Sequence, residues 1–514
     1  MGNDNNTDTT SDFEVNGAST SSDTQIRELR LEKVSKIRDS GRNPYPATGD
    51  RTDFAAKLHE TYGHLEAGEH SGQTVSVAGR IMLKRDMGKL TFATLHDDSG
   101  DIQLFISKGD LGDEAFGEFV DLDLGDWISV TGEVIMTKKA ELSVKGTTFT
   151  LLSKCLRPLP DKFKGMTDTE QTYRQRELDL IMNAESRHRF DIRHKAISSI
   201  RNTFSDQGYI EVEGPVLHTT PGGAIARPFL THHNTLDLEL NLRIALELHL
   251  KRLIVGGFDR VFEIGRVFRN EGLSTRHNPE FTMLESYESM ADYYRMMELA
   301  ETLISNSAMD SIGRYEVNIS SNDTPELISL KPPYARISMI DLVKNVVGEE
   351  MHPSMDIVHA RDIAKANGVE PKDFWGAGKI IGEIYDEVAE RTLTEPTFVM
   401  DHPVEISPLS KVHRDDPYLT ERFELVIARR ELVNAFSELN DPIDQRERFE
   451  AGQKAKDSGD IEATGVDEEY LRALEYGLPP TGGLGIGIDR LIMLLAETST
   501  IRDVVLFPTL RPEN

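Results

Sequence analysis

The chain has 514 residues and a formal net charge of −29, with 38% hydrophobic and 28% charged residues. Such a length suits two to four domains, and such a composition is that of a water-soluble globular protein. No apolar run nears the ~18 residues of a membrane span, the polar, acidic start is unlike a signal peptide, and the single cysteine, Cys155, excludes an internal disulfide and suits a reducing cytoplasm.

Residues 1–22 are mostly Asn, Asp, Thr, Ser and Gly, too polar to offset chain entropy by burial, so a disordered tail is expected. Residues 23–72 form an N-terminal helical segment. Its first helix, over 23–40, carries Ile26, Leu29, Val34 and Ile37 at helical spacing and stops before Asn43-Pro44-Tyr45-Pro46. The acidity of the whole argues against nucleic acid as a partner, but Gln25–Arg42 and Arg174–Lys195 are locally basic, so net charge decides little.

Over 73–153 the pattern changes to about five short alternating strands with a helical insert near Asp113–Val120. This predicts a small five-stranded β-barrel of the oligonucleotide-binding (OB) type. Phe92, Gln103 and Glu141 sit on these strands among polar neighbours. They read either as a stacking ring with two hydrogen-bonding groups or as a core ring with two solvated side chains. A linker at 154–172 contains Pro158 and Pro160.

Residues 173–514 read as one large α+β domain. Helices are predicted at Arg187–Asp206, Ala291–Ser307, Ala360–Asn367 and Lys379–Thr392, an edge hairpin or loop at Ser311–Ser329, and a charged, solvated helix at Asp441–Ile461. Phe262–Tyr287 alternates as two antiparallel strands joined near Leu273–Asn278. One face is polar, with Arg266, Arg269, Glu271, Arg276, His277, Glu280 and Glu285. Arginine suits phosphate or carboxylate, and Phe281 offers a flat surface to a ring.

Further on, Glu424, Glu431 and Glu438 recur every seven residues. They form a stripe on an exposed helix, or they converge from two strands joined by a turn. In the second case oxygen-only ligands point to magnesium, which borrows further oxygens from phosphates. Gly482–Arg490, GGLGIGIDR, lacks the Gly-Lys-Ser/Thr ending of a P-loop and the spacing of a dinucleotide fold. Its glycines let a strand and helix pack closely, with Arg490 at the helix start facing an anion. No Ser-His-Asp or Cys-His set stands out. Arginines, carboxylates and one aromatic platform suit phosphoryl or nucleotidyl transfer, which needs alignment and charge neutralisation more than a protein nucleophile.

In this order the segments resemble the motifs of class II aminoacyl-tRNA synthetases: Gly208–Pro215 is similar to motif 1, Phe262–Glu285 to motif 2 and Gly483–Arg490 to motif 3. A barrel ahead of the catalytic domain resembles the aspartate, asparagine and lysine subgroup. The text at Pro221–Phe229, Arg276–Glu285, Phe436–Pro442, Glu475–Arg490 and Ile501–Pro508 resembles its lysyl branch, from about residue 25 to the C-terminus. The resemblance implies an antiparallel sheet of six or so strands flanked by helices, ATP-dependent attachment of L-lysine to tRNA(Lys) through a lysyl-adenylate, and a homodimer joined near Pro215. It implies Arg269 and Arg490 as catalytic residues, and Glu271, His277, Phe281 and Arg490 on ATP. Glu424 and Glu431 would hold Mg2+. Lysine would meet Gly223, Glu247, Glu285, Tyr287, Asn434 and Glu438, and the anticodon would meet Phe92, Gln103 and Glu141. Val433, Leu246, Asn241 and Gly214 depart from the usual residues, Val433 at a position expected beside the amino-acid pocket. Two other readings are a lysine-activating paralogue that modifies a protein and a non-catalytic RNA-binding homologue. The first would lack the barrel, and the second would have lost Arg269, Arg490 or the acidic pair. An aspartate or asparagine enzyme would need a cationic pocket where Glu438 and Tyr287 stand.

Overall fold

The computed structural model describes residues 21–160, 168–220, 222–224, 226–320, 324–457 and 465–513. The chain divides into two compact units, 1–165 and 166–514. Of the expected tail, 1–20 lies outside the described residues, while its last two residues already belong to the helix Ser21–Asp39. Of the expected linker, 161–167 lies outside them, and Thr169–Arg174 is helical. No helix among the described residues is long and apolar enough to cross a membrane.

In the first unit, β1 (His70–Asp86), β2 (Leu90–His96), β3 (Asp101–Ser107), β4 (Trp127–Met136) and β5 (Leu142–Ser153) close a barrel in the order β1-β2-β3-β5-β4. Closure removes the open edges, the last gap being sealed by parallel pairing of β3 with β5. Alternation sends Ala93, Leu95, Ile102, Leu104 and Ile106 inward. The helix Asp113–Val120 adds Phe116 and Phe119 to the same core, as the insert in the sequence suggests.

The second unit is built on one eight-stranded sheet. Its strands are β6 (Ile210–Glu211), β10 (Arg260–Phe268), β11 (Glu280–Ser289), β14 (Ala335–Ser338), β15 (Thr397–Met400), β16 (Arg422–Val426), β17 (Glu431–Ser437) and β18 (Thr481–Gly487). The numbers between belong to two small sheets: β7 (Leu217–His218), β8 (Leu230–His233) and β9 (Leu238–Leu242), and the hairpin β12 (Glu316–Asn318) with β13 (Leu327–Ser329). The order β14-β15-β16-β17-β18-β11-β10-β6 has six antiparallel strands in the middle and one parallel strand at each edge. The two edge strands, of four and two residues, are too short to read from alternation.

Helices Ala184–Asp206, Tyr293–Ile312 and Ile488–Leu495 cover one face of this sheet, where Ile200, Phe204, Leu299, Leu303, Leu491 and Ile492 pack on Leu284, Val433, Ala435, Leu484 and Ile486. The predicted helix at Lys379–Thr392 is three pieces: an α-helix Ala377–Ile384, a π-turn Tyr385–Ala389 and a 3-10 turn Glu390–Thr392. The wider turn points the Tyr385 hydroxyl at Glu424, to which it donates at 3.0 Å. The charged helix runs Pro442–Asp457, and 458–464 lies outside the described residues.

Ahead of β10, a buried ion pair pins the segment expected at a dimer interface. Arg243 reaches Glu263 at 2.6 Å, and Glu263 also accepts from the Gly214 amide at 2.9 Å. Both partners are almost fully buried, so removing one strands the other. Glu263→Ala is expected to cost about 3–5 kcal/mol, read as a lowered denaturant midpoint for the second unit's transition.

Candidate active site

A cavity of about 390 Å³ opens on the face of the large sheet opposite that helical layer. Strand periodicity decides who faces it. On β11, Phe281, Met283, Glu285 and Tyr287 line the cavity while Leu284 joins the core. On β17, Asn434 and Phe436 line it, while Val433 and Ala435 point the other way. Val433 is fully buried among core residues and is absent from the lining, so its expected place beside the pocket is corrected: the pleat turns it to the helical face. The lining brings together Gly223, Glu247, Arg269, Glu271, His277, Phe281, Glu285, Tyr287, Glu431, Asn434, Glu438 and Arg490.

One end is cationic. Arg269 follows β10 and donates to the Ile244 carbonyl at 3.3 Å. Its guanidinium lies 5.1 Å from the Phe281 ring centre, and no carboxylate pairs with it among the described residues. Arg490 stands in the first turn of Ile488–Leu495 and holds the Glu431 carbonyl at 2.7 Å and its carboxylate at 3.3 Å. The neighbouring Asp489 fixes that turn. It accepts from the Thr282 amide at 2.7 Å and pairs with Arg193 at 2.5 Å. Glu271, Arg276 and His277 lie exposed on the β10–β11 loop. The loop is anchored by Asn278, whose amide donates to Glu280 and accepts from the Thr509 amide.

The other end is acidic. Glu247, Glu285 and Glu438 are all nearly fully buried there. Glu285 accepts from the Leu246 amide at 3.0 Å and from the Tyr287 hydroxyl at 3.1 Å. Burial, reinforced by Glu247, pushes its carboxyl up to about 7 from an ordinary 4.5. Room for this cluster comes from glycine. A Cβ on Gly483 would fall 1.9 Å from a Glu438 oxygen and 2.6 Å from the Tyr287 ring. Gly223 has φ +82°, and a Cβ there would press on Glu247 Cβ at 3.1 Å.

Glu424 and Glu431 lie on the two strands of a β-hairpin, with a register shift between Leu425 and Val426, while Glu438 follows the second strand at the acidic end, and the exposed-helix alternative falls away. Glu431 lines the cavity and Glu424 does not. Glu424 is held by Arg422 at 2.6 Å and by the Tyr385 hydroxyl. Among the described residues no cluster of three or more His, Cys, Asp or Glu could hold a metal by itself. Two carboxylates then suit a hard cation only with oxygens supplied by a ligand.

Two residues of the site, Arg422 and Lys251, are absent from the sequence-based set. Arg422 donates to Asn434 Oδ1 at 3.0 Å, which leaves the Asn434 amide NH2 turned to the cavity side of β17. Lys251 stands behind the acidic end and contacts both Glu247 and Glu438. Its spacing of four from Glu247 was the available signal, and it reads as an ordinary helical pair.

In the barrel, Phe92 and Gln103 lie on the outward face. Phe92 is half-buried and edge-on to its cross-strand partner Phe105, with ring centres 5.4 Å apart. Gln103 donates to Ser143 at 2.8 Å. Glu141 is exposed at the β4–β5 turn. The core reading of Phe92 is thereby excluded, since Thr91 and Ala93 take the inward positions.

The description "tRNA synthetases class II (D, K and N)" matches residues 168–511, and "OB-fold nucleic acid binding domain" matches 75–152. The chain is similar to the lysine–tRNA ligase of Bacillus subtilis (strain 168), with 52% identity over 486 residues, 94% of this chain and 97% of the relative. It is similar to the lysine–tRNA ligase of Enterococcus faecalis (strain ATCC 700802 / V583), with 52% identity over 485 residues, 94% and 97% of the two chains. The enzyme of the same name from Latilactobacillus sakei subsp. sakei (strain 23K) shares 50% over 487 residues, 94% and 96%.

The raised Glu285 carboxyl has a stability consequence. The folded protein keeps this proton up to about pH 7, whereas an unfolded Glu loses it near 4.5. Stability therefore declines as pH rises between those values. Glu285→Gln should melt like the parent at pH 4.5 and increasingly above it towards pH 7, by differential scanning calorimetry.

Proposed function

The chain belongs to the class II tRNA synthetases of the D, K and N type, and from that premise we propose that it activates L-lysine with ATP and attaches it to tRNA(Lys) for protein synthesis. The observation that carries the choice of lysine is the gathering of buried Glu247, Glu285 and Glu438 in the cavity lining, on the far side of Glu285 from Arg269. A buried carboxylate is tolerated when paired, and lysine brings two ammonium groups. An aspartate side chain would meet three carboxylates there, with the one ammonium, Lys251, already paired to two of them.

Glu247, Glu285 and the Gly223 carbonyl would receive the α-ammonium, and Glu438 with Tyr287 the ε-ammonium. Asn434, its oxygen held by Arg422, would donate to the carboxylate. Phe281 would stack on adenine, with Glu271 and His277 nearby, and Arg490 would clamp the γ-phosphate. A lysine carboxylate oxygen then attacks the α-phosphorus. Its bond to the pyrophosphate oxygen breaks, and lysyl-adenylate forms. Arg269 lies between the two reacting anions, offsets their repulsion and stabilises the charge that develops on phosphorus. In the second step the terminal 3′-hydroxyl of the tRNA attacks the adenylate carbonyl carbon and AMP leaves. Glu424 and Glu431 would hold Mg2+ with phosphate oxygens completing the set, Glu424 turning from Arg422 to do so, and the ion would neutralise phosphate charge.

Phe92, Gln103 and Glu141 would meet anticodon bases by stacking and hydrogen bonding. The barrel favours tRNA over a protein acceptor, and retention of Arg269, Arg490 and the acidic pair favours catalysis over RNA binding alone. A homodimer through the Pro215 region is supported by Ile210, Val216, Leu217, Leu230 and Leu238, apolar side chains left exposed there. The proposed compartment is the cytoplasm.

Pyrophosphate exchange with each amino acid in turn tests the reading: lysine should drive it best, and a better response to any other amino acid would refute the specificity. In the same assay Glu438→Gln should raise the lysine KM at least tenfold with the ATP KM within twofold. Phe92→Ala should leave exchange intact and lower kcat/KM for tRNA charging about tenfold, the equivalent of about 1.4 kcal/mol, within the range of one stacked base.

A further inference from the structure

Lys251 is fully buried, yet it does not line the cavity. It lies one turn after Glu247 on the helix Glu247–Val255, 2.5 Å from the Glu247 carboxylate and in contact with that of Glu438. Three rings surround its ammonium: Phe436 at 5.3 Å, Tyr470 at 5.8 Å and Tyr287 at 6.0 Å. Rings stabilise a cation without adding charge. The other charged or titratable groups facing this cluster are Glu285 from β11 and, beyond it, Arg269 at the end of β10. Neither Glu438 oxygen makes an oriented hydrogen bond.

The cluster thus holds three carboxylates and one internal ammonium. Once Glu285 is ionised, above about pH 7, two negative charges remain, the number that lysine, with its two ammonium groups, would neutralise. Resting on the lysine reading above, we propose that Lys251 is a specificity-determining positioning residue, an internal counter-ion that fixes the charge of the pocket at the value a diammonium substrate cancels. Burial opposes the charge on Lys251, but Glu247 and Glu438 more than offset it and hold the ammonium well above its ordinary range. Burial likewise pushes the Glu438 carboxyl up, and Lys251 is the largest opposing influence. Without Lys251 nothing opposes the burial of Glu438, whose carboxyl then keeps its proton to higher pH than in the parent and cannot receive an ammonium until that proton is lost.

The test compares lysine-dependent pyrophosphate exchange of the parent and of Lys251→Met, a neutral side chain of similar length, between pH 6.5 and 8.5. The variant's lysine KM should be at least tenfold higher at pH 7 and should fall back towards the parent's as pH rises, with the ATP KM within twofold. A KM raised equally at every pH, or an unchanged KM, would overturn the assignment, since a merely structural lysine does not move the profile. Calorimetry on the parent reads the same balance without a variant. At pH 8, lysine binding measured in buffers of different ionisation enthalpy should exchange less than about half a proton per lysine, and release of a full proton would overturn the proposal. A parent that neither binds lysine nor exchanges with it would instead refute the lysine reading.

Discussion

Burying carboxylates is the constraint around which this catalytic unit is arranged. Glu247, Glu285 and Glu438 sit almost fully buried at the wall of the cavity, at a site supplied by a helix start, a central strand and a strand end. Each element carries a device that makes this tolerable. β18 carries glycine where any Cβ would strike Glu438, the Leu246 amide and the Tyr287 hydroxyl give Glu285 donors, and Lys251 supplies a full charge from behind. A buried charge that loses its partner costs several kcal/mol, so these devices act together.

The cationic end follows a different logic. Arg269 and Arg490 are not neutralised by the nearest carboxylates: Arg269 meets a carbonyl and a ring face, and Arg490 shares Glu431 while partly exposed. Donors held in place and only partly satisfied are prepared for a ligand's anions. Their placement comes from rigid parts, with Asp489 tying the start of Ile488–Leu495 to β11 and Arg193 closing the triangle.

Much of this was legible in the sequence because it lies on long alternating strands. The hairpin of β10 and β11, the five barrel strands and the strand-to-helix step at Gly487 all follow from period-two patterns and glycine placement. Illegible parts depended on the pleat or on distant partners. Val433, expected beside the pocket from the resemblance, packs in the core instead, because neighbours in sequence fall on opposite sides of a strand. Lys251 and Arg422 act on residues up to 187 and 16 positions away, and no local pattern marks those distant partners. The edge strands were too short, and the π-turn at Tyr385 has no periodic signature.

Arginines at one end of the cavity and carboxylates at the other make it a standing electric dipole fixed in the protein frame. A ligand entering it is turned before it is bound: its anionic and cationic ends are pulled to opposite walls, so that a reversed pose meets like charge at both. The field remains when the cavity is empty, because the side chains that create it are locked by their own partners. The enzyme therefore spends little reorganisation on orienting its substrate, and ligands that carry only one sign of charge engage only half of the site.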